Sequence, residues 1–251
     1  MGSALRTLPV NATDRTRVLA RLGGSIENLE LSMQLSELPL EQAVAIREFF
    51  SWPGKPNYEG LWWSSTARHH VCFESLLEAE YLMAADYDPS VVAIAAQPLA
   101  FLWPHAQRPR RSHVPDFFLR LNNGDGCIVD VRDARRVQAD QDQFALTRRA
   151  CLEIGWKYQL FTGIESSVLR TNLRWLSGYR HDRHRPDART CTIIGEAFQR
   201  GEQLGYGIAE AARIADQSRE VVLTNVFHLM WTQELAVDLH TPLCMQARVS
   251  S

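Results

Sequence analysis

The stretch VPDFFLRLNNGDGCIVDVR, residues 114–132, decides the fold of the central part of this chain. An apolar run follows Pro115, and the Asn-Asn-Gly-Asp-Gly sequence of residues 122–126 is a strong turn signal. A second apolar run then ends at Arg132. The pattern predicts two antiparallel strands, 114–121 and 127–132, joined by a tight turn.

The segments around this hairpin alternate between helical spacing and short apolar runs. The predicted elements are a helix over 73–86, strands over 91–95 and 99–103, a helix over 137–155, a strand over 157–162 and a helix over 166–176. This order predicts an α/β fold in which a mixed sheet is flanked by helices.

Patterning also divides the chain into three predicted parts. Residues 1–57 are weakly patterned, with a short helix predicted over 40–50 and a loop over 51–58. The charged segment 181–189 contains Pro186 and reads as a linker, so we expect a central domain over 58–185 and a C-terminal domain over 186–251.

The C-terminal domain has three predicted helices followed by a short strand. The helices cover 192–204, 207–215 and 219–232, with Ser218 as the N-cap of the third, and the strand covers 235–239. Helices followed by a small strand pair are typical of a winged helix-turn-helix, so we predict a winged-helix-like C-terminal α domain.

Composition narrows the class of protein. The chain has 251 residues, 45% of them hydrophobic and 22% charged, as in ordinary globular proteins. It has no apolar run near the roughly 20 residues that span a bilayer, and no secretion signal pattern at its start. The five cysteines are scattered and odd in number. We therefore expect reduced thiols in a cytoplasmic protein with no membrane partner.

Positive charge is concentrated in the middle of the chain. Residues 101–190 hold 16 basic and 10 acidic side chains, and the basic residues are nearly all arginine, which pairs with phosphate through a bidentate fork. A polyanionic partner and an ordinary solvated face both fit this distribution. The candidate phosphate contacts are Arg108, Arg110, Arg111, Arg135 and Arg136.

Two aspartates on the predicted hairpin carry the chemistry. Asp130 and Arg132 share one side of their strand, and pairing of the hairpin brings Asp130 close to Asp116. With a third carboxylate from the preceding helix, either Glu78 or Glu74, they predict an all-oxygen site for Mg²⁺ or Mn²⁺ that activates water against a phosphodiester. The alternative is that both aspartates make only turn and salt-bridge contacts.

The spacing resembles the PD-(D/E)-x-K nuclease motif, in which Pro-Asp precedes a hairpin that ends in acid-x-Lys. Neighbouring motifs occur in one order: ESLLE (74–78), DPSVV (88–92), QP (97–98), PDF (115–117) and DVR (130–132). In this order they resemble the catalytic domain of TnsA-type transposon-end endonucleases. Further motifs, WWS (62–64), NLRWL (172–176) and FHLMW (227–231), are similar to TnsA-like subunits of heteromeric transposases.

The resemblance implies a restriction-endonuclease-like core that hydrolyses DNA at the 5′ ends of a transposon with Mg²⁺. By the same resemblance Glu78, Asp116 and Asp130 are catalytic metal ligands, and Arg132 takes the position of the motif lysine. The implied partners are transposon-end DNA, a DDE-type TnsB-like transposase subunit and an AAA+ TnsC-like regulator. The C-terminal domain would then contact DNA or these partners.

The arginine at position 132 departs from the nuclease pattern. Arginine stays charged and cannot accept a proton, although it can hold the scissile phosphate. Three hypotheses therefore remain open. They are an active endonuclease subunit, a catalytically silent scaffold that bridges transposase, ATPase regulator and DNA, and a stand-alone repair or restriction nuclease.

Overall fold

The computed structural model describes residues 5, 7–47, 58–104 and 112–251, and it is a mixed α/β structure. The predicted α/β class is therefore confirmed in its general form. Contacts group the chain into two compact units, Met1–Gly163 and Ile164–Ser251. All five cysteines are free. Within the described ranges, no helix combines the length and the apolar character needed to cross a membrane.

The first unit contains ten strands and two α-helices among its described residues. They are β1 (Arg17–Leu22), β2 (Ser25–Glu30), β3 (Gly60–Ser64), β4 (His69–Phe73), α1 (Leu76–Tyr87), β5 (Val91–Ala96), β6 (Leu99–Leu102), β7 (Ser112–His113), β8 (Phe117–Leu121), β9 (Gly126–Val131), α2 (Gln141–Glu153) and β10 (Lys157–Phe161).

A mixed four-stranded sheet, in the order β10-β9-β8-β5, lies at the centre of this unit. The predicted hairpin is its β8–β9 pair, which is antiparallel and places Phe117 opposite Val129. Strand β10 adds to β9 in parallel. A second four-stranded sheet, β2-β1-β6-β7, and the separate β3–β4 hairpin complete the strands.

Side chains alternate between the two faces of the mixed sheet, as the period of a strand requires. Phe117 and Val129 join Leu82 of α1 in one buried cluster. Phe118 joins the other cluster, which includes Cys151 of α2 and residues of β1 and β6. The mixed sheet is thus covered by α1 on one face, and by α2 and the second sheet on the other.

The N-terminal segment differs from its prediction. Strands β1 and β2 pair as a hairpin that the sequence did not reveal, and β1 also pairs with β6. The predicted helix over 40–50 is wrong for the described residues, since only a short 3-10 turn, Leu40–Gln42, forms there. The amides of Val44 and Ile46 instead donate to the carbonyls of Arg21 and Gln97, at 3.1 and 2.9 Å. These tertiary hydrogen bonds outweigh the weak helical propensity.

Residues 48–57, which include the rest of this predicted helix and nearly all of the predicted loop over 51–58, lie outside the described residues.

The second unit contains α3 (Ser167–Ser177), α4 (Ala188–Phe198), β11 (Glu202–Gln203), α5 (Leu204–Ala215), α6 (Arg219–Trp231), β12 (Ala236–Val237) and β13 (Arg248–Ser250). The three short strands form an antiparallel sheet in the order β11-β13-β12. Ser218 caps α6 as predicted, since its hydroxyl accepts from the amide of Val221.

The segment between α3 and α4 is more ordered than the predicted linker. It forms a 3-10 turn, Asp182–His184, and α4 already begins at Ala188 because Asp187 accepts from the amide of Thr190 at 2.8 Å and caps the helix. Helix α3 contacts α6, so contacts place the unit boundary after Gly163, whereas sequence patterning placed a boundary at 185–186.

Candidate active site

Asp116 immediately precedes β8, at the open end of the β8–β9 hairpin. Its carboxylate accepts from the amide of Val131 at 2.7 Å, and its own amide donates to the carbonyl of Val129 at 3.0 Å. Desolvation, followed by the negative charges of Glu78 and Asp130, raises the pKa of Asp116 well above its ordinary value. The hairpin register therefore brings Asp116 within electrostatic range of Asp130, and the position of α1 brings Glu78 within the same range.

Glu78 lies in the first turn of α1. Ser75 is the N-cap of that helix, and the Glu78 carboxylate accepts from the Ser75 hydroxyl at 2.8 Å and from the Glu74 amide at 2.7 Å. This arrangement resembles a capping box. Desolvation nevertheless raises the pKa of Glu78. The same carboxylate therefore stabilises the helix and lies close to Asp116.

Glu74, the alternative to Glu78, precedes α1 and is not on it. Its carboxylate accepts from the guanidinium of Arg47 at 3.2 Å. The positive charge of Arg47 also opposes the rise in the pKa of both Glu78 and Asp116. Glu74 thus lies next to the three predicted acids, and its carboxylate is already paired with Arg47.

Asp130 is almost fully buried on β9, with 2% of its surface exposed. One carboxylate oxygen is hydrogen-bonded to Nε2 of His113 at 2.8 Å, and the other accepts from the Tyr158 hydroxyl at 2.8 Å. The Nδ1 of His113 is in turn hydrogen-bonded to the Gln143 side-chain amide from α2. Asp130 is therefore fixed by groups from β7 and β10.

Arg132 follows β9 on the same side as Asp130, two residues further on. Its guanidinium forms an ion pair with the buried Asp140, which lies just before α2. The Nε of Arg132 is buried and has no hydrogen-bond partner among the described residues. The guanidinium is thus held by Asp140, while 38% of the Arg132 side chain remains exposed.

The three predicted acids approach the end of the sheet from different directions. Glu78 comes from α1 on one face, Asp130 points to the α2 face, and Asp116 lies at the strand end within electrostatic range of both. Across the described residues, no three His, Cys, Asp or Glu side chains are grouped to hold a metal ion as they stand. Each carboxylate is engaged by hydrogen bonds within the protein.

The donor set itself fits a hard divalent cation. It consists of carboxylate oxygens only, the ligands that Mg²⁺ prefers. Neighbouring negative charges contribute to the raised pKa of Asp116, and a cation would relieve that repulsion.

The sequence analysis assigned no role at this site to four residues: Arg47, Gln97, His113 and Tyr158. Gln97 adopts a left-handed φ of 46° between β5 and β6, and its amide donates to the carbonyl of Asp116 at 2.9 Å. Its side-chain oxygen accepts from Arg47 Nε at 2.9 Å. Gln97 belongs to the Gln-Pro motif and His113 lies two residues before the Pro-Asp-Phe motif, whereas Arg47 and Tyr158 had no local signal.

The predicted phosphate contacts fall into two groups. Arg108, Arg110 and Arg111 lie outside the described residues. Arg135 and Arg136 are exposed in a 3-10 turn after β9. Arg135 is paired with Asp133 at 2.7 Å, and this pairing lowers the pKa of Asp133.

The β8–β9 hairpin lies within the part of the chain that matches a known protein family. Residues 88–163 match the family described as TnsA-like endonuclease N terminal. The matched range includes Asp116, Asp130 and Arg132, while Glu78 lies before it. No curated protein matches the chain. The sequence motifs and the family match point to the same family, and residues 88–163 are similar to a TnsA-like endonuclease N-terminal domain.

Proposed function

We propose that this protein is the DNA endonuclease subunit of a heteromeric transposase and hydrolyses phosphodiester bonds at transposon 5′ ends with Mg²⁺, or with Mn²⁺ in its place. The observation that carries the proposal is the TnsA-like endonuclease match over residues 88–163, which contains Asp116 and Asp130 at one end of the β8–β9 pair. The remaining parts of the proposal rest on the chemistry of the side chains around that pair.

Asp116, Asp130 and Glu78 are the residues that would hold the metal ion. A bound divalent cation supplies Lewis-acid polarisation of the phosphodiester and a water of lowered pKa. Glu78 would exchange its hydrogen bonds with Ser75 and Glu74 for this role, and Asp116 would keep its second oxygen on the Val131 amide.

His113 and Tyr158 orient Asp130 through one hydrogen bond to each of its oxygens. This positioning reduces the rotational freedom of a ligand that must keep its geometry during the reaction. Arg132 stays protonated, so its role is electrostatic, through attraction of the scissile phosphate and of the charge that develops there.

The proposal also includes the fold type of each of the two units. A restriction-endonuclease-like core is supported by the mixed β10-β9-β8-β5 sheet with α1 and α2 on its faces. A winged-helix-like C-terminal domain is supported by helices α4, α5 and α6 with the three-stranded β11-β13-β12 sheet. The proposed partners are transposon-end DNA, a TnsB-like DDE transposase subunit and a TnsC-like AAA+ regulator.

The test is calorimetric titration of Mn²⁺ into the full chain, with a DNA duplex present, followed by nicking of supercoiled plasmid. Wild type is compared with Asp116→Asn and Asp130→Asn, and Asp142→Asn on the exposed face of α2 is the matched control. We expect binding and nicking in wild type and control, and loss of both in the two site variants. Equal binding by all four proteins would refute a site built on these carboxylates.

A scaffold subunit without catalysis is the second candidate. The observation that favours it is the engagement of all three acids by hydrogen bonds within the protein, with no metal-binding group formed by the described residues. Absence of Mn²⁺ binding in a folded wild-type protein, with and without duplex, would select this candidate over the endonuclease.

A further inference from the structure

An exposed tryptophan distinguishes helix α3 in the second unit. Asn172, Leu173 and Leu176 of this helix are buried, whereas Trp175 is 58% exposed. A tryptophan that the core does not use is the type of residue that dominates binding energy at protein interfaces. Trp175 belongs to the NLRWL motif of residues 172–176, which the nuclease chemistry leaves without a role.

An apolar pocket of about 260 Å³ opens on one side of Trp175. Its walls include Leu204, Phe227, Leu243 and Met245. A pocket of this size is smaller than a typical ligand cavity and suits one or two side chains of a peptide. It therefore provides a place for a bulky apolar residue of a partner.

The wall of this pocket is held in place by Asn172. The buried Asn172 amide donates to the carbonyls of Leu239 and Thr241 at 2.9 and 2.7 Å, and its oxygen accepts from the amide of Leu243 at 3.2 Å. The amide of Gly205 also donates to the Met245 carbonyl at 2.8 Å. The pocket is thus built before any partner arrives, which lowers the entropic cost of binding.

A row of aromatic rings fixes Trp175 itself. The Trp175 and Phe227 ring centroids are 6.2 Å apart in an edge-to-face arrangement, and Phe227 and Tyr179 are 4.9 Å apart. Tyr179 in turn meets His184 at 5.5 Å. These contacts support one edge of the indole and leave the rest open to a partner.

A shallower and basic depression of about 560 Å³ opens on the other side of Trp175. Arg174, Arg183 and His184 line it, and none of its lining residues is acidic, in a unit that the structure describes throughout. Burial, then the positive charge of Arg183, lowers the pKa of His184. The positive charge of the depression is therefore carried by Arg174 and Arg183, and these two guanidinium groups attract carboxylates.

We propose that Trp175 is the centre of a docking surface for a segment of a partner protein that presents a bulky apolar side chain next to acidic residues. The apolar side chain enters the pocket beside Leu243 and Met245, and the acidic residues meet Arg174 and Arg183. The mostly apolar lining of the pocket suits an apolar side chain of a peptide better than the polar edge of a nucleobase. The surface lies within the second unit and does not depend on the proposed nuclease chemistry.

The test is selection of short random peptides, displayed on phage, against the full wild-type chain, with the Trp175→Ala chain used to remove other binders. We expect the enriched peptides to share a bulky apolar residue flanked by Asp or Glu. A synthetic peptide of the enriched sequence should lose affinity by at least about tenfold with Trp175→Ala and with Arg174→Glu. The matched controls, Tyr206→Ala and Arg200→Glu, alter an exposed tyrosine and an exposed arginine elsewhere in the same unit and should bind unchanged.

Three results would overturn the proposal. The first is failure to enrich any peptide over the Trp175→Ala chain. The second is binding of single-stranded DNA that is lost with Trp175→Ala while no peptide is selected, which would assign the surface to nucleic acid. The third is a wild-type dimer, seen by light scattering, that Trp175→Ala dissociates, which would assign it to a second copy of the chain.

Discussion

The carboxylate of Asp116 accepts a hydrogen bond from the main-chain amide of Val131 at 2.7 Å, so a side chain takes the place of a strand carbonyl at the end of the β8–β9 pair. The same residue has a pKa well above its ordinary value, because desolvation and two neighbouring carboxylates disfavour its charge. Asp116 is thus useful to the fold as a hydrogen-bond acceptor and unfavourable to it as an anion.

Replacement of Asp116 by Asn should stabilise the metal-free protein at neutral pH. The amide oxygen of Asn can still accept from Val131, while the unfavourable charge is removed. Because the folded pKa is raised, the carboxyl group favours the folded state only while it is protonated, and this stabilisation is lost as pH rises through the folded pKa. We expect an advantage of about 1–3 kcal/mol near neutral pH, and little difference near about pH 4.

Thermal unfolding in a chelator, at several pH values, measures this difference. Asp142→Asn, on the surface of α2, is the control and should follow the wild type. A lower melting temperature for Asp116→Asn at neutral pH, or a difference that does not change with pH, would contradict the role assigned to the charge. Added Mg²⁺ should raise the melting temperature of the wild type and leave that of Asp116→Asn unchanged.

The position of the Asp130 carboxylate should depend on the hydrogen bond that the Tyr158 hydroxyl donates to it. Tyr158→Phe removes only the hydroxyl that donates to Asp130 at 2.8 Å and leaves a buried carboxylate oxygen without that donor. The expected cost is about 1–3 kcal/mol in the free energy of unfolding, with weaker Mn²⁺ binding. Chemical denaturation and calorimetry measure the two effects, and the exposed Tyr206→Phe is the control. Unchanged stability and unchanged affinity would show that this hydrogen bond does not position Asp130.

Arg132 should contribute to the rate of DNA cleavage through its positive charge. Arg132→Ala should lower the single-turnover rate of DNA cleavage by about 100-fold, the size expected when one electrostatic group is removed from a transition state. Arg132→Lys should recover most of that rate, since the charge is retained while the ion pair with Asp140 can still form. Rates measured over a range of pH complete the test. An Arg132→Lys variant as slow as Arg132→Ala would show that guanidinium geometry, and not charge alone, is required.

Substitution of Asp86 should lower the free energy of unfolding more than substitution at most other positions of the first unit. This α1 residue is 5% exposed, and its carboxylate accepts five hydrogen bonds from the segment that begins in β3. The donors are Trp62, Ser64, Ser65 and Thr66. Asp86→Ala would leave these donors unsatisfied and should cost about 3–5 kcal/mol. Urea denaturation measures this cost, and a loss below about 1 kcal/mol would be inconsistent with the observed contacts.

Gly207 should tolerate no side chain in the second unit. A Cβ at this position of α5 would clash with the Phe198 ring, which is fully buried on α4. Gly207→Ala should therefore separate the two helices and destabilise the unit by about 1–3 kcal/mol, in spite of the higher helical propensity of alanine. Gly195→Ala, where the added Cβ meets nothing within 4 Å, is the matched control. Equal melting temperatures for the two variants would contradict the tight packing.

The hairpin of the mixed sheet could be predicted because its signals are local. The Asn-Gly turn and the alternation of Phe117 and Phe118 fix the register, and the register brings Asp116 near Asp130. The β1–β2 hairpin could not be predicted in the same way. Strand β2 is exposed along nearly its whole length and lacks the apolar alternation that marks a strand.

The surroundings of the candidate site depend on contacts between distant parts of the chain. Arg47 meets Gln97 from 50 positions away, and Tyr158 meets Asp130 from 28 positions away. Contacts over such separations leave no periodic pattern in the sequence, so they cannot be predicted from it. Arg132 was identified as unusual from the sequence, but its ion pair with Asp140 follows from the two 3-10 turns that precede α2. The second turn, Gln138–Asp140, lies where the start of a continuous helix over 137–155 was predicted.

The place of β1 between β2 and β6 sets a limit on how this protein can be divided or recombined. The family match begins at residue 88, yet β6 takes one of its two neighbours from residues 17–22. Leu35 and Leu40 from the same segment are buried in the cluster that covers the α2 face of the mixed sheet. A fragment or a chimera joined at residue 88 would expose an open strand edge and an incomplete core, the usual conditions for aggregation. A crossover after Gly163 keeps these partners in one piece, so exchange between related chains should yield soluble products there and fail upstream.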